Sequence, residues 1–149
     1  MKVYNRTFNR DYTEIETVEA GIALTGAEVK AVRAKNIKLE QSFARVIRGE
    51  LFLVNADIPI YQFARPQDYN PTRSRKLLLH KKQITRLISK LQSSGKLTLI
   101  PVSCYNKGPY IKISLALAKG KRDIEKKKVE RREDIKRQQE QEMKEYIKR

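Results

Sequence analysis

The clearest local signal in the chain is the stretch Leu24-Thr25-Gly26-Ala27-Glu28-Val29-Lys30-Ala31-Val32-Arg33. Thr25 and Glu28 have the spacing of a capping box, in which each side chain accepts a hydrogen bond from a backbone N–H of the first helical turn. At the other end, Lys35 suits the negative pole of the helix, and Asn36 tolerates the left-handed conformation that closes many helices. The stretch therefore predicts a short helix that begins at Thr25.

The segments on either side of this helix have the patterns of β-strands. Residues 12–24 alternate loosely between apolar and polar, and Gly21 within them indicates a bulge or a close backbone approach. Residues 43–47 and 51–54 are apolar runs around a turn in which Gly49 supplies a positive φ, so they predict a hairpin. The body of the chain is therefore expected to be mainly β with short helices.

Later segments extend this pattern. Residues 58–63 are a candidate strand, and His80 precedes a helix that is expected to close at Gly95. Residues 97–105 and 110–117 predict a second hairpin. In the return strand, branched apolar residues alternate with Lys, Ser and Ala, so one face is expected in the core and the other open.

Three segments lack such periodicity. Residues 2–10 are predicted to be a basic arm, and residues 65–74, with two prolines, a loop. Residues 119–149 contain 13 basic and 8 acidic residues but few apolar ones. Good helix formers without a buried face predict a tail that is disordered alone and helical on a partner. The expected domains are a body, 1–118, and this flexible basic tail.

The charge balance indicates a polyanionic partner. The 149 residues include 33 basic and 17 acidic side chains, for a net charge of +16. Nucleic acid is favoured over a membrane because the chain has no long apolar run and no signal-peptide pattern, so a cytoplasmic protein is expected. One cysteine, Cys104, and one histidine, His80, exclude an internal disulfide and argue against zinc or thiol chemistry. No cofactor or metal is expected.

Basic clusters are the main candidates for binding RNA, since phosphate contacts dominate the affinity of proteins for nucleic acid. A solvated charged surface is the alternative for any single lysine. Aromatic side chains could stack on unpaired bases, although packing in the body is the alternative for each, and Tyr69 in the polar loop is the preferred candidate. The basic candidates are Arg73, Arg75, Lys76, Lys81 and Lys82 in one cluster, and Lys119, Lys121 and Arg122 in another.

An enzymatic function is not favoured. His80 lies where a helix cap is expected, with Gln83 three residues later, and no nucleophile or acid accompanies it. Glu19 and Glu28 could be imagined as an acid-base pair, but Glu28 already has a capping role. The isolated glycines form no phosphate-binding loop.

Three runs of residues together resemble a known family. They are Leu24-Thr25-Gly26-Ala27-Glu28-Val29-Lys30 with Arg33, then Asn70-Pro71-Thr72-Arg73-Ser74-Arg75-Lys76-Leu77-Leu78-Leu79-His80-Lys81, and finally Leu115-Ala116-Leu117-Ala118-Lys119-Gly120-Lys121. The chain is similar, from about Asn5 into the tail, to the SsrA-binding protein (SmpB) family.

The resemblance implies a closed antiparallel barrel like that of oligonucleotide-binding domains. It also implies binding to the tRNA-like domain of transfer-messenger RNA (tmRNA), delivery of that RNA to stalled ribosomes for trans-translation, and a tail that enters the decoding site and the empty mRNA channel. A monomer without enzymatic activity is expected. The implied RNA-contacting residues are Glu19, Leu78 and His80 on the body, and Lys119, Lys121 and Arg122 at the root of the tail. Lys30 and Arg33 of the first run are further candidates for binding RNA.

The tail departs from the family pattern at one place. Ile124-Glu125-Lys126-Lys127, the predicted decoding-site segment, stands where many members have an aromatic residue or His followed by Asp-Lys-Arg. The signs of the charges are kept and the ring is lost. Two alternatives to the family function stay open at this point: a structural ribosomal protein that binds ribosomal RNA, and an RNA-processing enzyme.

Overall fold

The computed structural model describes residues 1–61, 63, 68–121 and 123–148, with side chains for all of these except 123–129 and 145–148. The described residues form strands and helices in the following order: β1 (Lys2–Tyr4), α1 (Phe8–Asp11), β2 (Tyr12–Ile22), α2 (Gly26–Arg33), β3 (Phe43–Ile47), β4 (Glu50–Val54), β5 (Arg75–Leu78), α3 (Lys81–Ser93), β6 (Leu97–Lys107), β7 (Tyr110–Gly120) and α4 (Asp123–Lys148).

All strand pairings in the sheet are antiparallel, and the strand order is β1-β6-β3-β4-β5-β2-β7. β6 pairs with β7 as well as with β1 and β3. The prediction of a mainly β body with short helices is confirmed. Leucines and isoleucines of the strands from β4 to β7, with Ala44 of β3, meet α2 and α3 in one core, to which α2 contributes Ala31 and Val32 and α3 contributes Leu87.

Both predicted hairpins are confirmed. Arg48 and Gly49 join β3 to β4 with φ values of 52° and 75°, the positive values of the two-residue turns that suit the twist of paired strands. Gly108, with φ 59°, lies in the turn between β6 and β7.

The capping box of α2 is also confirmed. Thr25 Oγ1 accepts from Glu28 N at 3.3 Å, and Glu28 Oε1 accepts from Thr25 N at 3.0 Å. The predicted closing residue is wrong by one position. Lys35, not Asn36, is left-handed, with φ 65°. Asn36 N donates to Ala31 O and Lys35 N to Val32 O, both at 2.9 Å, which is the Schellman pattern of helix closure.

The N-terminal residues are not a free arm. β1 pairs with β6, and Phe8 in α1 is 5% exposed and stacks on Tyr12 with 5.9 Å between ring centroids. Phe8 forms a second apolar cluster with Ala116 and Ala118 of β7. The prediction that β7 has an open face is therefore wrong in this part, because small alanine side chains leave room for an aromatic ring to cover them.

Of the two interpretations of Gly21, the close approach is confirmed and the bulge is wrong, since the register of β2 shifts between Glu14 and Glu16. The predicted strand at residues 58–63 is wrong at Ile58, which is fully buried but belongs to no strand and donates its N–H to Pro71 O at 3.0 Å. α3 ends at Ser93 with Ser94 as its C-cap, so Gly95 follows the helix as predicted, but it does not have the positive φ of a left-handed closing residue. The irregular path of residues 68–74 agrees with the predicted loop, while residues 65–67 lie outside the described residues.

The tail contains one long helix, α4. All of its described side chains, residues 130–144, are exposed. Glu130 Oε1 lies 3.7 Å from Arg10 Nε in α1. Disorder of the tail without a partner stays a prediction. Among the described residues, no helix has the length and apolar character that a bilayer crossing needs.

Lys35→Gly is expected to raise the free energy of unfolding by about 0.5–1 kcal/mol, because glycine adopts the left-handed conformation without a Cβ clash. Chemical denaturation of the variant measures the change. Lys35→Gln keeps the Cβ and removes the charge, so it should leave stability unchanged. Equal stabilisation by both substitutions would assign the effect to charge and contradict the conformational explanation.

Candidate nucleic-acid interface

Two buried ionic side chains, Glu28 and Arg75, tie α2 to β5. Glu28 is 1% exposed and Arg75 is 0% exposed. Arg75 Nε donates to Glu28 Oε2 at 2.7 Å, and Arg75 Nη2 lies 2.6 Å from the same oxygen. The other carboxylate oxygen, Oε1, accepts from Thr25 N at 3.0 Å and from Arg73 Nη2. One carboxylate therefore caps a helix and compensates two arginines, as a buried charge requires.

The remaining donors of Arg75 hold the connection between β4 and β5. Nη1 donates to Ala56 O at 2.8 Å, and Nη2 donates to Pro71 O at 2.9 Å. Tyr69 joins the same network, since its hydroxyl donates to Ile58 O at 2.6 Å and lies 3.4 Å from Arg75 Nη2. The prediction that Arg75 contacts RNA is wrong, because no part of this side chain reaches the surface. Tyr69 is half-buried, and stacking of its ring on a base stays a prediction.

The pKa of Glu28 reflects this network. Burial alone would raise the pKa, but hydrogen bonds from Arg73, from the Thr25 N–H and from Arg75 outweigh it and hold the pKa at about 2, against an ordinary 4.5. Glu28 is therefore ionised at neutral pH and enclosed by cations. It has no access to a substrate, so it cannot form an acid-base pair with Glu19.

Three predicted RNA-contacting residues, Glu19, Leu78 and His80, line one shallow groove on the surface. We call it the Leu78 groove; its volume is about 500 Å³. His80 stands at the start of α3, where its N–H donates to Gln83 Oε1 at 3.2 Å. Lys112 of β7 completes the groove with a cation.

The strand register explains why Leu78 is exposed. Gly21 of β2 lies opposite Leu78 of β5 on one side and opposite Lys112 of β7 on the other. A Cβ at Gly21 would lie 3.2 Å from Leu78 Cβ, so glycine is needed for this close approach. Leu78 is 51% exposed, although Leu77 beside it is 1% exposed. The groove thus has an apolar centre flanked by charged walls.

Glu19 at the edge of the groove is ion-paired. Tyr105 donates its hydroxyl to Glu19 Oε2, and Lys107 Nζ lies 3.1 Å from Oε1. These two hydrogen bonds, that of Tyr105 first, lower the pKa of Glu19, so it is negative at neutral pH. Sequence reasoning missed Lys112 as a groove residue and Lys107 as an ion-pair partner of Glu19. The alternation of β7 could have indicated Lys112. The side-chain contacts of Glu19 with Tyr105 and Lys107 depend on the register of distant strands, which the sequence does not reveal.

The other predicted cations of the body do not line the groove. Arg33 Nη2 donates to Pro109 O at 3.2 Å, and Pro109 lines a second depression that also contains Leu78. Lys30 Nζ lies 5.7 Å from the ring centroid of Tyr61. Lys76 pairs with an exposed carboxylate, Arg73 is bound to Glu28, and Lys81 is exposed at the first position of α3.

A separate group of predicted residues lies at the root of the tail. Lys119 pairs with Thr13, and Lys121 N donates to Asp11 O at 2.8 Å. Lys119 is seven residues from Lys112 along β7, a span of about 20 Å in an extended strand. Arg122 lies outside the described residues. Residues 124–127 lie in the backbone of α4, but the side chains of Ile124, Glu125, Lys126 and Lys127 lie outside the description.

The arrangement has the features of a recognition surface for a folded polyanion. It offers an exposed leucine and a lysine on two strands and a histidine at the start of α3. Over the described part of the chain, no cluster of acidic, His or Cys side chains could hold a metal ion.

Comparison with known proteins is consistent with this surface. The family model for "SmpB protein" matches residues 2–145. An SsrA-binding protein of Shouchella clausii is 45% identical over 143 residues, which covers 96% of this chain and 91% of the relative. That of Enterococcus faecalis is 43% identical over 134 residues, covering 90% and 86%. A solved structure described as "tmRNA-SmpB: a journey to the center of the bacterial ribosome" is 43% identical, with a TM-score of 0.68, and the match covers 82% of this chain and 85% of that one.

The Glu28 network predicts a loss of stability in acid. Because the pKa of Glu28 is lower in the folded chain, at about 2, than its ordinary 4.5, the contribution of its ionised form is complete above pH 4.5 and is lost as the pH falls towards 2. The free energy of unfolding should fall by about 3 kcal/mol across this range. Denaturant titrations at several pH values measure it.

Glu28→Gln should remove this component and destabilise the chain by about 3–5 kcal/mol, because Arg75 is left buried without its counter-ion. Glu50→Gln is the matched control, since Glu50 pairs with Lys76 at 3.1 Å on the surface. Its effect should stay below about 1 kcal/mol. A Glu28→Gln variant as stable as Glu50→Gln would refute the structural role of the buried pair.

Proposed function

This chain belongs to the SmpB family, and we propose that it binds tmRNA through the tRNA-like domain and delivers it to stalled ribosomes in trans-translation. The observation that carries the proposal is the Leu78 groove, which brings together Leu78 of β5, Lys112 of β7 and His80 at the start of α3. The family relatives are SsrA-binding proteins, and the solved relative is described with tmRNA and the bacterial ribosome.

The groove is better suited to recognising the shape of a folded RNA than to recognising a particular base sequence. A structured RNA presents phosphates, 2′-hydroxyls and the edges of loop nucleotides, and proteins recognise it mostly through shape. Leu78 supplies an apolar contact for a ribose or an unstacked base, and Lys112 and Lys81 supply charge for the phosphates. Glu19 accepts hydrogen bonds and can accept one from a 2′-hydroxyl.

The body is proposed to be a closed barrel like that of oligonucleotide-binding domains. In support, β6 pairs with both β3 and β7, so the pairings run from β6 through β3, β4, β5, β2 and β7 back to β6. Barrels of this type bind nucleic acid on a curved strand surface and with their loops. Such a body holds the Leu78 groove in a fixed geometry, so little ordering entropy opposes binding.

The tail is proposed to act inside the ribosome. α4 comprises 26 residues, a length of about 40 Å for a straight helix. Its described side chains, residues 130–144, are all exposed and largely charged. Lys119, Lys121 and Arg122 at its root are proposed to contact RNA, and residues 124–127 are proposed to lie at the decoding site. The remainder would occupy the mRNA channel, which is free only when the message has ended.

The mechanism proposed is positional and not catalytic. The body replaces the missing part of a tRNA shape, and the tail senses the absence of message. The chain is proposed to act as a monomer in the cytoplasm, where ribosomes translate.

Leu78→Ala should weaken binding to the tRNA-like domain of tmRNA by about 5- to 30-fold, because it removes apolar area that only the RNA covers. Its exposure means that folding should be unaffected. Filter binding at one fixed salt concentration gives the dissociation constant, and thermal unfolding checks the stability.

Val46→Ala is the control for Leu78→Ala. Val46 is also an exposed apolar residue, at 37%, but lies outside the groove. It should bind the RNA as the unchanged chain does. Equal affinities for the Leu78 and Val46 variants would rule out the groove as the tmRNA site.

Arg132→Pro should abolish the tagging of unfinished peptides on ribosomes stalled on messages without a stop codon. Binding of tmRNA by the body should persist. Proline in a helix interior costs about 3 kcal/mol and breaks α4. Arg132→Ala removes the same charge and keeps the helix, so it should retain most activity. A reconstituted translation system measures tagging. Full activity of Arg132→Pro would show that the tail does not act as a continuous helix.

A further inference from the structure

A second cationic surface lies apart from the Leu78 groove. It is a cleft of about 800 Å³ between the N-terminal segment and the residues that follow α2. We call it the N-terminal cleft. It shares no lining residue with the Leu78 groove. The residues of interest that line it are Lys2, Tyr4, Arg6, Lys35 and Lys38.

Both walls of the cleft are fixed. β1 pairs with β6, and Asn5 Nδ2 donates to Pro101 O at 2.9 Å, so the first wall is anchored to the sheet. The second wall is anchored by Ile37, which is 4% exposed. Thr7 Oγ1 donates to Glu40 O at 3.4 Å and joins the two walls. The cleft therefore exists before any ligand arrives.

The cations of the cleft are not held in ion pairs. Within the described chain, no ion pair involves Lys2, Arg6, Lys35 or Lys38. Glu40 is the one carboxylate that lines the cleft, and Arg6 also lines a neighbouring depression that contains Glu130, Glu133 and Asp134 of α4. Several cations elsewhere on the body have acidic partners, as in the pairs of Glu16 with Arg86 and Lys90. Four cations close together without such partners create a site for a polyanion.

Tyr4 adds an aromatic platform to this charge. Its side chain is 57% exposed although it belongs to a strand. Lys2 Nζ lies 5.0 Å from the ring centroid, a cation–π contact that orients the ring. Cationic grooves with exposed aromatic rings are typical of sites for single-stranded nucleic acid, where bases stack on rings and phosphates follow the charge.

Lys35 gives an independent indication. It occupies the left-handed closing position of α2, with φ 65°, where glycine has the lower conformational energy. A lysine there costs stability and brings a positive charge to the cleft. The energetic cost is explained if that charge contacts a ligand.

We propose that the N-terminal cleft binds a single-stranded segment of RNA, with phosphates along its lysines and arginine and one unpaired base stacked on Tyr4. A bilayer surface is disfavoured because Tyr4 is the one exposed large apolar residue among those lining the cleft. An acidic peptide is disfavoured because it would leave the ring without a stacking partner. The site extends the proposed function, since a chain that carries one RNA on the Leu78 groove could contact a second RNA here.

The test uses the full chain and a fluorescent 12-nucleotide oligouridylate as probe. The triple variant Lys2→Gln, Lys35→Gln, Lys38→Gln should bind it at least 10-fold more weakly, and the slope of log affinity against log salt should flatten by about 2, since each phosphate contact in a single strand contributes about 0.7. Tyr4→Leu should lower affinity by about 5- to 100-fold and Tyr4→Phe should not.

A charge-matched control is available. Arg45→Gln, Arg48→Gln, Lys96→Gln removes the same three charges from exposed positions outside the cleft. The inference is overturned if this control and the cleft variant lose affinity equally, or if Tyr4→Leu binds as the unchanged chain does. Preferential binding of an acidic peptide of equal charge over the oligouridylate would overturn it as well.

Binding of the tRNA-like domain distinguishes this inference from the proposed function. The cleft variant should bind that RNA no worse than the charge-matched control, whereas Leu78→Ala should bind it poorly and the oligouridylate normally. If Leu78→Ala leaves the binding of the tRNA-like domain intact, the proposed function of the groove fails without affecting the cleft. A cleft variant that binds both the tRNA-like domain and the oligouridylate more weakly than the charge-matched control does would contradict a separate site.

Discussion

The buried carboxylate of Glu28 is the constraint on which the body depends. It caps α2 through Thr25 and neutralises Arg75, whose other donors fix the backbone at Ala56 and Pro71. A buried arginine without such a partner would cost several kcal/mol, on the order of the whole stability margin of a small domain. The pair therefore fixes the backbone at Ala56 and Pro71 and the start of β5 together.

The position of β5 in turn creates the proposed RNA site. Arg75 points into the protein and Leu77 is buried, so the alternation of the strand turns Leu78 outwards. Gly21 on the neighbouring strand leaves that leucine uncovered. An interior ion pair and a surface leucine three residues apart are thus consequences of the same strand. The buried Arg75 therefore supports the binding surface indirectly, because it fixes the strand that exposes Leu78.

Local features of the fold could be predicted from the sequence, because their causes lie within a few residues. The capping box at Thr25 and the turn at Gly49 are examples. Predictions failed where a distant partner determined the outcome. Arg75 is a residue type that often binds phosphate, but here it is buried in an ion pair with Glu28, 47 positions earlier in the chain. Phe8 in an apparently polar arm covers the alanines of β7, which only the folded sheet brings near.

The same reasoning applies to the candidate site. Glu19, Leu78 and His80 were indicated by family resemblance, and their common groove follows from strand register.

The most direct test of the account is a titration of the leucine-methyl-labelled chain with the tRNA-like domain, monitored by NMR. The account predicts a large shift for the Leu78 methyl groups and little change for buried Leu53 and Leu99. An unchanged Leu78 signal at saturating RNA would contradict it.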